Sequence, residues 1–409
     1  MANAAVTTAS PVRAWVQEKI FLGMTVKEYV RSLATPANVV LGGLAAMGIA
    51  LMVYRFAVGL GATTNLSQYS PWGIWIGFDM MTGIVLAAGG FTLATTVHLF
   101  GLHAYHPIVR PALLTAFLGY MLAVVGLIAD LGRPWNMVFI FVRPGTTSAL
   151  FEVACCVALY SSVLFLEFLL PTTEWLGLKR IRGVLMKIML PLTILSVVFS
   201  TMHQSALGSL FLLAPGKLHP LWYTKFIFIF FFISAVMAGI SMVLFEGSLS
   251  HKAFASRITS HFDVDRLQIG LARAGAIIFF AYFFLKLQGV VDNHAWGHIL
   301  TGWGAWWAVE MLGFVLLPAL LFAYGARNMN VKFVRIGSVL GVLGIALNRL
   351  NVSVIAFNWK LPSAVRYVPS LMEVGVSVGL VALGVVAFRF IVNRMPILGE
   401  HSSYRGSEY

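Results

Sequence analysis

The sequence predicts an all-α integral membrane protein with ten transmembrane helices, on three observations. Apolar residues make up 59% of the 409 positions and charged ones only 11%, whereas a soluble domain carries roughly 25% charged residues. The mean hydropathy is +0.87. Ten windows of roughly 20 apolar residues recur along the chain, each long enough to cross the hydrocarbon core. At ~150 residues per domain the length alone would suggest two or three soluble domains, but the charges are too few to coat them. The net charge of +13 is dispersed through short loops, which argues for membrane topology over nucleic acid. Cys155 and Cys156 are the only cysteines and are adjacent. They cannot form a disulfide framework, a zinc site or an iron–sulfur cluster alone, so any metal redox centre belongs to a partner.

Residues 1–36 precede the first span. Arg13, Lys19, Lys27 and Arg31 interrupt this stretch without an apolar core, so no cleavable signal pattern is present. Residues 11–33 read instead as an amphipathic segment on a membrane face or a partner. The membrane domain, 37–395, holds spans near 37–60, 74–100, 109–130, 147–170, 184–212, 222–249, 268–290, 303–326, 333–357 and 372–395, the fifth with a possible break near Gly208 or Pro215. Residues 396–409 form a tail. Spans 2–5 and 7–10 make two helical groups, each with buried charges. The pairs Gly73/Gly77, Gly337/Gly341 and Gly375/Gly379 let helix backbones approach closely.

Orientation follows from Lys and Arg. The N-terminal segment, Arg110, Lys179, Arg180, Arg182, Lys187, Lys252, Arg257, Arg266, Arg327, Lys332, Arg335, Arg389, Arg394 and Arg405 bring 18 to one face. Arg133, Arg143, Lys217, Lys360 and Arg366 bring 5 to the other. Both termini are therefore predicted in the cytoplasm, and the short outer loops predict no extramembrane domain.

An ionisable group at the bilayer centre costs about 2.5–3.5 kcal/mol on insertion scales, yet seven of the 15 acidic residues fall within spans: Asp79, Asp130, Glu152, Glu167, Glu246, Glu310 and Glu373. Asp79 lies about five residues into span 2, roughly 8 Å below the outer surface. Span directions then bring Trp72, Trp75, Asp79, Asp130, Arg133, Glu152, His203 and Gln204 toward one outer pocket. Trp72, Trp75 and Asp79 follow i, i+3, i+7, one α-helical face. Plainer readings compete: an interfacial Asp130–Arg133 ion pair, tryptophans as interface anchors, His203 as a satisfied polar residue.

Along span 4, Glu152, Cys156, Tyr160 and Glu167 fall broadly on one face and cover about 22 Å. With Tyr120, His98, Thr193, Ser196 and Ser200 they form either a proton path from the cytoplasm or a set of interhelical hydrogen bonds. Lys286, Glu310, Arg349 and Glu373 balance in sign and read as buried ion pairs. A membrane b-haem needs a facing histidine pair. His98 and His203 are the two within spans, and span directions put them at opposite ends. No metal site, Walker motif, dinucleotide fingerprint or nucleophile elbow appears.

Three motifs carry a resemblance: Pro71-Trp72-Gly73-Ile74-Trp75-Ile76-Gly77-Phe78-Asp79, His106-Pro107-Ile108-Val109-Arg110-Pro111-Ala112 and Thr201-Met202-His203-Gln204-Ser205-Ala206-Leu207-Gly208-Ser209. With His219-Pro220-Leu221-Trp222 and Phe245-Glu246-Gly247-Ser248, they make residues 37–395 resemble the NrfD/PsrC family, especially the ten-span branch with the HybB hydrogenase subunit and the QrcD menaquinone reductase subunit. The resemblance implies a haem-free quinone-binding subunit of the bacterial inner membrane. It would dock a periplasmic ferredoxin-like iron–sulfur subunit, itself served by a periplasmic catalytic or multihaem cytochrome subunit, and reduce menaquinone near the outer face, with proton uptake from the cytoplasm. Asp79 and His203 become the catalytic candidates. Trp72, Trp75, Glu152, Gln204 and Arg133 complete the quinone site, and Glu152, Tyr160, Glu167, Tyr120, Ser196 and Ser200 the proton path. A hydrogenase-type quinone anchor, a secondary ion transporter and a purely structural anchor are the alternatives.

Overall fold

Apolar length decides the architecture. In the computed structural model, which describes residues 11–254 and 263–399, ten helices are long and apolar enough to cross a membrane: Pro36–Val58, Trp75–Leu99, His103–Asp130, Ala149–Leu176, Lys179–Leu213, Ile227–Ser250, Val264–Asp292, Gly302–Arg327, Val331–Ile355 and Leu371–Val392, spans 1 to 10. The ten-span expectation holds. Span 5 runs α-helically through Pro191 to Ser209 and tightens into a 3₁₀ turn over Leu210–Leu213, between the two break points suggested by the sequence. The expected positions of Arg257, Arg405 and most of the tail lie outside the described residues.

Packing follows chain order with one exception. Spans 2 to 5 pack on one another, and span 6 touches spans 2, 5, 7 and 9. Span 10, expected beside spans 7 to 9, lies instead along span 1 and against span 3. Glycine is the reason: a Cβ on Gly48 would come within 2.6 Å of the Gly379 Cα, so span 10 sits where only backbone meets backbone.

Helices α1 (Pro11–Lys19) and α2 (Val26–Leu33) precede span 1. Thr25 and Glu28 form a capping box at the start of α2. Val26, Val30 and Leu33 are exposed on it, an apolar stripe suited to an interface. Arg394 donates to the Ile20 carbonyl at 3.0 Å and to the Tyr29 hydroxyl. The N-terminal segment is thereby tied to the end of span 10, and the two together mark the terminal face.

Three spans are locally underwound into four π turns: Trp75–Met80 and Thr95–Leu99 in span 2, Val309–Leu316 in span 8 and Asn351–Ile355 in span 9. Such turns gather at functional sites because they break the 3.6-residue period. Here they contain Asp79, His98, Glu310 and Asn351.

Candidate functional site

The polar interior of spans 2 to 5 centres on His203. Span 5 presents Thr193, Ser196, Ser200 and His203 inward, near the spacing of one helical face, against Tyr120 of span 3 and Tyr160 of span 4. Nδ1 of His203 and the Tyr120 hydroxyl are 2.9 Å apart, and the Tyr120 and Tyr160 rings meet edge-on at 4.6 Å. Gln204 donates to the Ile84 carbonyl of span 2 at 3.5 Å. Among the described residues, Nε2 of His203, Oε1 of Gln204 and the hydroxyls of Tyr160 and Ser200 have no hydrogen-bond partner. Buried polar atoms are seldom left so. Four together describe a polar chamber rather than a finished network.

A column descends from this chamber toward the terminal face. Ser200 stands beside both tyrosyl hydroxyls, and Ser196 donates to Glu167 at 3.5 Å. From Glu167 to His203 no member is more than 2% exposed. Beneath Glu167 lies a small cavity lined by His98, His106, Arg110 and Thr193. Its floor is an ion cluster: Arg110 reaches both oxygens of the buried Glu174 at 2.9 and 3.2 Å, and Arg182 joins at 3.0 Å. Arg110 also donates to the Pro396 carbonyl. The sequence used Arg110 only in the orientation count and as part of a motif, because Glu174 falls beyond the end expected for span 4.

Asp79 is buried elsewhere. It accepts from Ser377 of span 10 at 2.5 Å and presses on Gly126 of span 3, where a Cβ would meet the Asp79 Cβ at 2.7 Å. Gly126 and Tyr120 are six residues apart, about 9 Å along span 3 and roughly 120° around it. Asp79 and His203 therefore meet different faces of that helix, not one shared pocket. The common face expected of Trp72, Trp75 and Asp79 holds only for the last two, which the π turn from Trp75 brings to Glu373 and Ser377 of span 10. Trp75 turns its Nε1 to the Glu373 carbonyl at 3.1 Å. Trp72 precedes the helix and stacks on Phe357 at 5.4 Å.

Glu152 and Arg133 are both exposed at the face opposite the termini, so neither reaches the buried chamber. Among the described residues no ion pair joins Asp130 to Arg133. The cation facing Asp130 is Arg55 of span 1, which also donates to the Leu131 carbonyl.

The charges of the second group do not pair as expected. Glu310 accepts from Trp222 at 2.7 Å, from Asn348 at 2.7 Å and from Asn351. Arg349 donates to Asn348 and Ser234, each at 2.9 Å, and stacks over Phe231 at 3.9 Å. Lys286 lies over the Phe230 ring at 5.3 Å. Glu373 belongs to span 10's capping box and accepts from Ser370, Asn65 and Tyr367. Neutral donors and aromatic faces thus stand in place of direct ion pairs, with Asn348 bridging Glu310 and Arg349, and offset the desolvation of each buried charge. The signal for this group was present in Asn348-Arg349-Leu350-Asn351, four residues with three polar side chains inside an apolar span.

Above Glu310, the loop after span 5 buries His219 among Trp222, Trp303, Trp359 and His298, with ring centroids 4.7 to 5.6 Å away. Its Nδ1 accepts from the Leu221 amide at 3.2 Å, and Nε2 has no partner among the described residues. Burial, with His298 alongside, pushes His219 down to about 4. Sequence reasoning noticed this histidine only as part of a motif.

Among the described residues, His98 and His203 do not face one another as the two ligands of a b-haem would. His98 sits by His106 at the terminal end, ring centroids 6.5 Å apart, while His203 is held by Tyr120 in the chamber above. Among the described residues no cluster of three or more His, Cys, Asp or Glu is placed to hold a metal ion.

Comparison with known proteins places the chain in a family. Residues 62–357 match the family described as polysulphide reductase, NrfD. A protein of Nitratidesulfovibrio vulgaris strain Hildenborough is 50% identical over 92% of this chain and 97% of its own. The probable Ni/Fe-hydrogenase 2 b-type cytochrome subunit of Escherichia coli K12 is 31% identical over 90% of this chain and 95% of its own. The menaquinone reductase integral membrane subunit of the same Nitratidesulfovibrio strain is 26% identical over 85% and 88%.

Proposed function

The chain belongs to the NrfD polysulphide reductase family, and on that premise we propose that it is the menaquinone-binding membrane subunit of a respiratory oxidoreductase complex. It works in the bacterial inner membrane with both termini in the cytoplasm. A periplasmic ferredoxin-like iron–sulfur subunit, fed by a catalytic or multihaem cytochrome subunit, supplies electrons at the opposite face. Two electrons and two protons convert each menaquinone to its quinol.

The observation that carries this reading is His203. Its ring is oriented through Nδ1 by Tyr120, and the buried Nε2 is left without a partner. A fixed imidazole can donate to or accept from a quinone oxygen, and Gln204 lies beside it on the same turn. Protons reach His203 from Glu167 by way of Ser196, Tyr160, Ser200 and Tyr120, with the cavity at His98 and His106 as the cytoplasmic entry. Asp79, across span 3, serves a quinone oxygen or a second proton position from its own side. Trp72 and Trp75 flank that approach, and Glu152 and Arg133 remain at its exposed rim. The protein binds and supplies protons, while electron transfer belongs to the partner's clusters.

The test is menaquinone-analogue turnover by the whole complex carrying His203→Ala, followed beside reduction of the partner's clusters. Slowed quinone turnover with clusters still reduced supports the site, and unchanged turnover sinks it. Greater identity to the hydrogenase-associated relative than to the reductase subunit favours a second reading of the donor. Hydrogen-dependent menaquinone reduction by the purified complex would establish a hydrogenase donor, and its absence would return the choice to a multihaem cytochrome.

A further inference from the structure

Span 10 ends in a cation that borders two cavities. Arg389 lies three residues before the end of that helix. On one side, a space of about 620 Å³ separates α2 from the ends of spans 1 and 10, with Tyr29, Leu33, Asn38 and Arg394 in its walls. On the other, a cleft of about 380 Å³ runs between spans 2, 3, 6 and 10, walled by Leu86, Leu118, Leu122, Phe245, Val385 and Phe388. Arg389 lines both. Among the described residues no carboxylate lies within ion-pair distance of it.

We infer that Arg389 and this cleft form a binding site for one anionic phospholipid, its phosphate on the guanidinium and an acyl chain in the cleft. The volume equals about a dozen waters at ~30 Å³ each, but walls of this kind give water almost nothing to bond, and apolar cavities stay dry or take hydrocarbon. The main polar intrusion, Glu246, is already engaged by the Thr115 hydroxyl. Small residues open the space: Gly83 and Ala87 of span 2, Gly119 of span 3 and Gly384 of span 10 all line it.

Depth and charge agree with that occupant. From Arg389 to Val381 the cleft follows span 10 for about 12 Å, from the helix end toward the middle of the bilayer. Helix α2, tied by Arg394 to the same end, exposes Val26 and Val30 and marks the level of the interface. This face also carries the excess of Lys and Arg counted from the sequence, which draws acidic headgroups to the surrounding leaflet. A zwitterionic lipid would gain the apolar cleft but no net attraction to Arg389.

Native mass spectrometry of the full chain within its complex tests the site, with 1-palmitoyl-2-oleoyl-phosphatidylglycerol competing against the phosphatidylcholine of identical chains. The wild type should retain phosphatidylglycerol about fivefold over phosphatidylcholine, ~1 kcal/mol for one basic residue beside an acidic headgroup. Arg389→Gln should bring the two lipids to parity, while Arg389→Lys keeps the preference. Val385→Trp should fill the cleft and lower retention of both. Equal retention by the wild type, a preference that survives Arg389→Gln, or menaquinone in place of phospholipid as the molecule displaced by Val385→Trp would each overturn the assignment. If Val385→Trp does not assemble, the Arg389 pair of variants decides.

Discussion

Tyr120 of span 3 and His203 of span 5 are joined at 2.9 Å through the phenolic oxygen and Nδ1, and neither side chain is exposed. The bond fixes the imidazole from one side only. A buried polar atom left unsatisfied costs about 1–3 kcal/mol, so a ligand that bonds to Nε2 gains that free energy.

The two partners of that bond should differ in effect. Tyr120→Phe keeps the ring against Tyr160 and removes only the hydroxyl, a neutral hydrogen bond worth ~0.5–1.5 kcal/mol. Menaquinone-analogue turnover should fall about three- to tenfold. His203→Ala removes the ligand-facing nitrogen as well, and the fall should reach about ten- to hundredfold. Rates measured against unchanged reduction of the partner's clusters would separate these effects from misassembly.

Glu167 tests the direction of proton entry. In sealed vesicles carrying the complex, quinone reduction should build a membrane potential, since one charge moved against 100 mV takes about 2.3 kcal/mol of the redox energy. Glu167→Gln should slow turnover and blunt the response of a potential-sensitive dye, yet leave quinone affinity within about twofold, because a group below the chamber makes no ligand contact. A full dye response in the variant would move the route off Glu167.

Glu310 should matter for stability rather than for quinone. Glu310→Ala strands Trp222, Asn348 and Asn351 as buried donors, at about 1–3 kcal/mol each. Thermal inactivation of the detergent-solubilised complex should come at markedly lower temperature, with the quinone KM unaltered. A changed KM at normal stability would give the second group a part in substrate binding.

His219 predicts an acid-labile loop at the face opposite the termini. Its pKa is lowered from the usual 6.5 to about 4, so the folded state favours the neutral ring. That contribution to stability is complete above about pH 6.5 and is lost as the pH falls toward 4. His219→Asn keeps an acceptor for the Leu221 amide and removes the titration. Melting temperatures of the variant should decline less than wild type between those two pH values, and parallel declines would assign the acid limb to another group.

The membrane architecture was legible because composition and span length are sums, insensitive to side-chain direction. Glycine pairs were legible for a related reason: Gly77 abuts Ser353, Gly341 abuts Ser241 and Gly379 abuts Gly48, the close approaches their spacing implied. Depth also served Tyr120, Tyr160, Ser196, Ser200 and Glu167, which lie together in the interior. The face assignment failed for Trp72, which precedes the helix and stacks on Phe357 while Trp75 and Asp79 meet span 10. Partner identity failed too. Ser377 for Asp79 and Arg55 for Asp130 come from spans 10 and 1, nearly 300 and 75 residues away along the chain. No local pattern encodes such neighbours.

A π turn amounts to one residue more than an α-helix needs over the same rise. Deleting a single residue between Trp75 and Met80 would leave span 2 ample for the bilayer, at 24 of its 25 residues. It would also keep the flanks in register, because the π turn would close to an α turn of nearly the same rotation and rise. The same deletion in the α-helical part of the span would rotate everything on one side of it by about 100° relative to the other. The placement of these groups is thus written in a count as well as in an alphabet. A relative with every polar residue in place but one residue fewer in the α-helical part of span 2 would carry the letters of the site without its geometry.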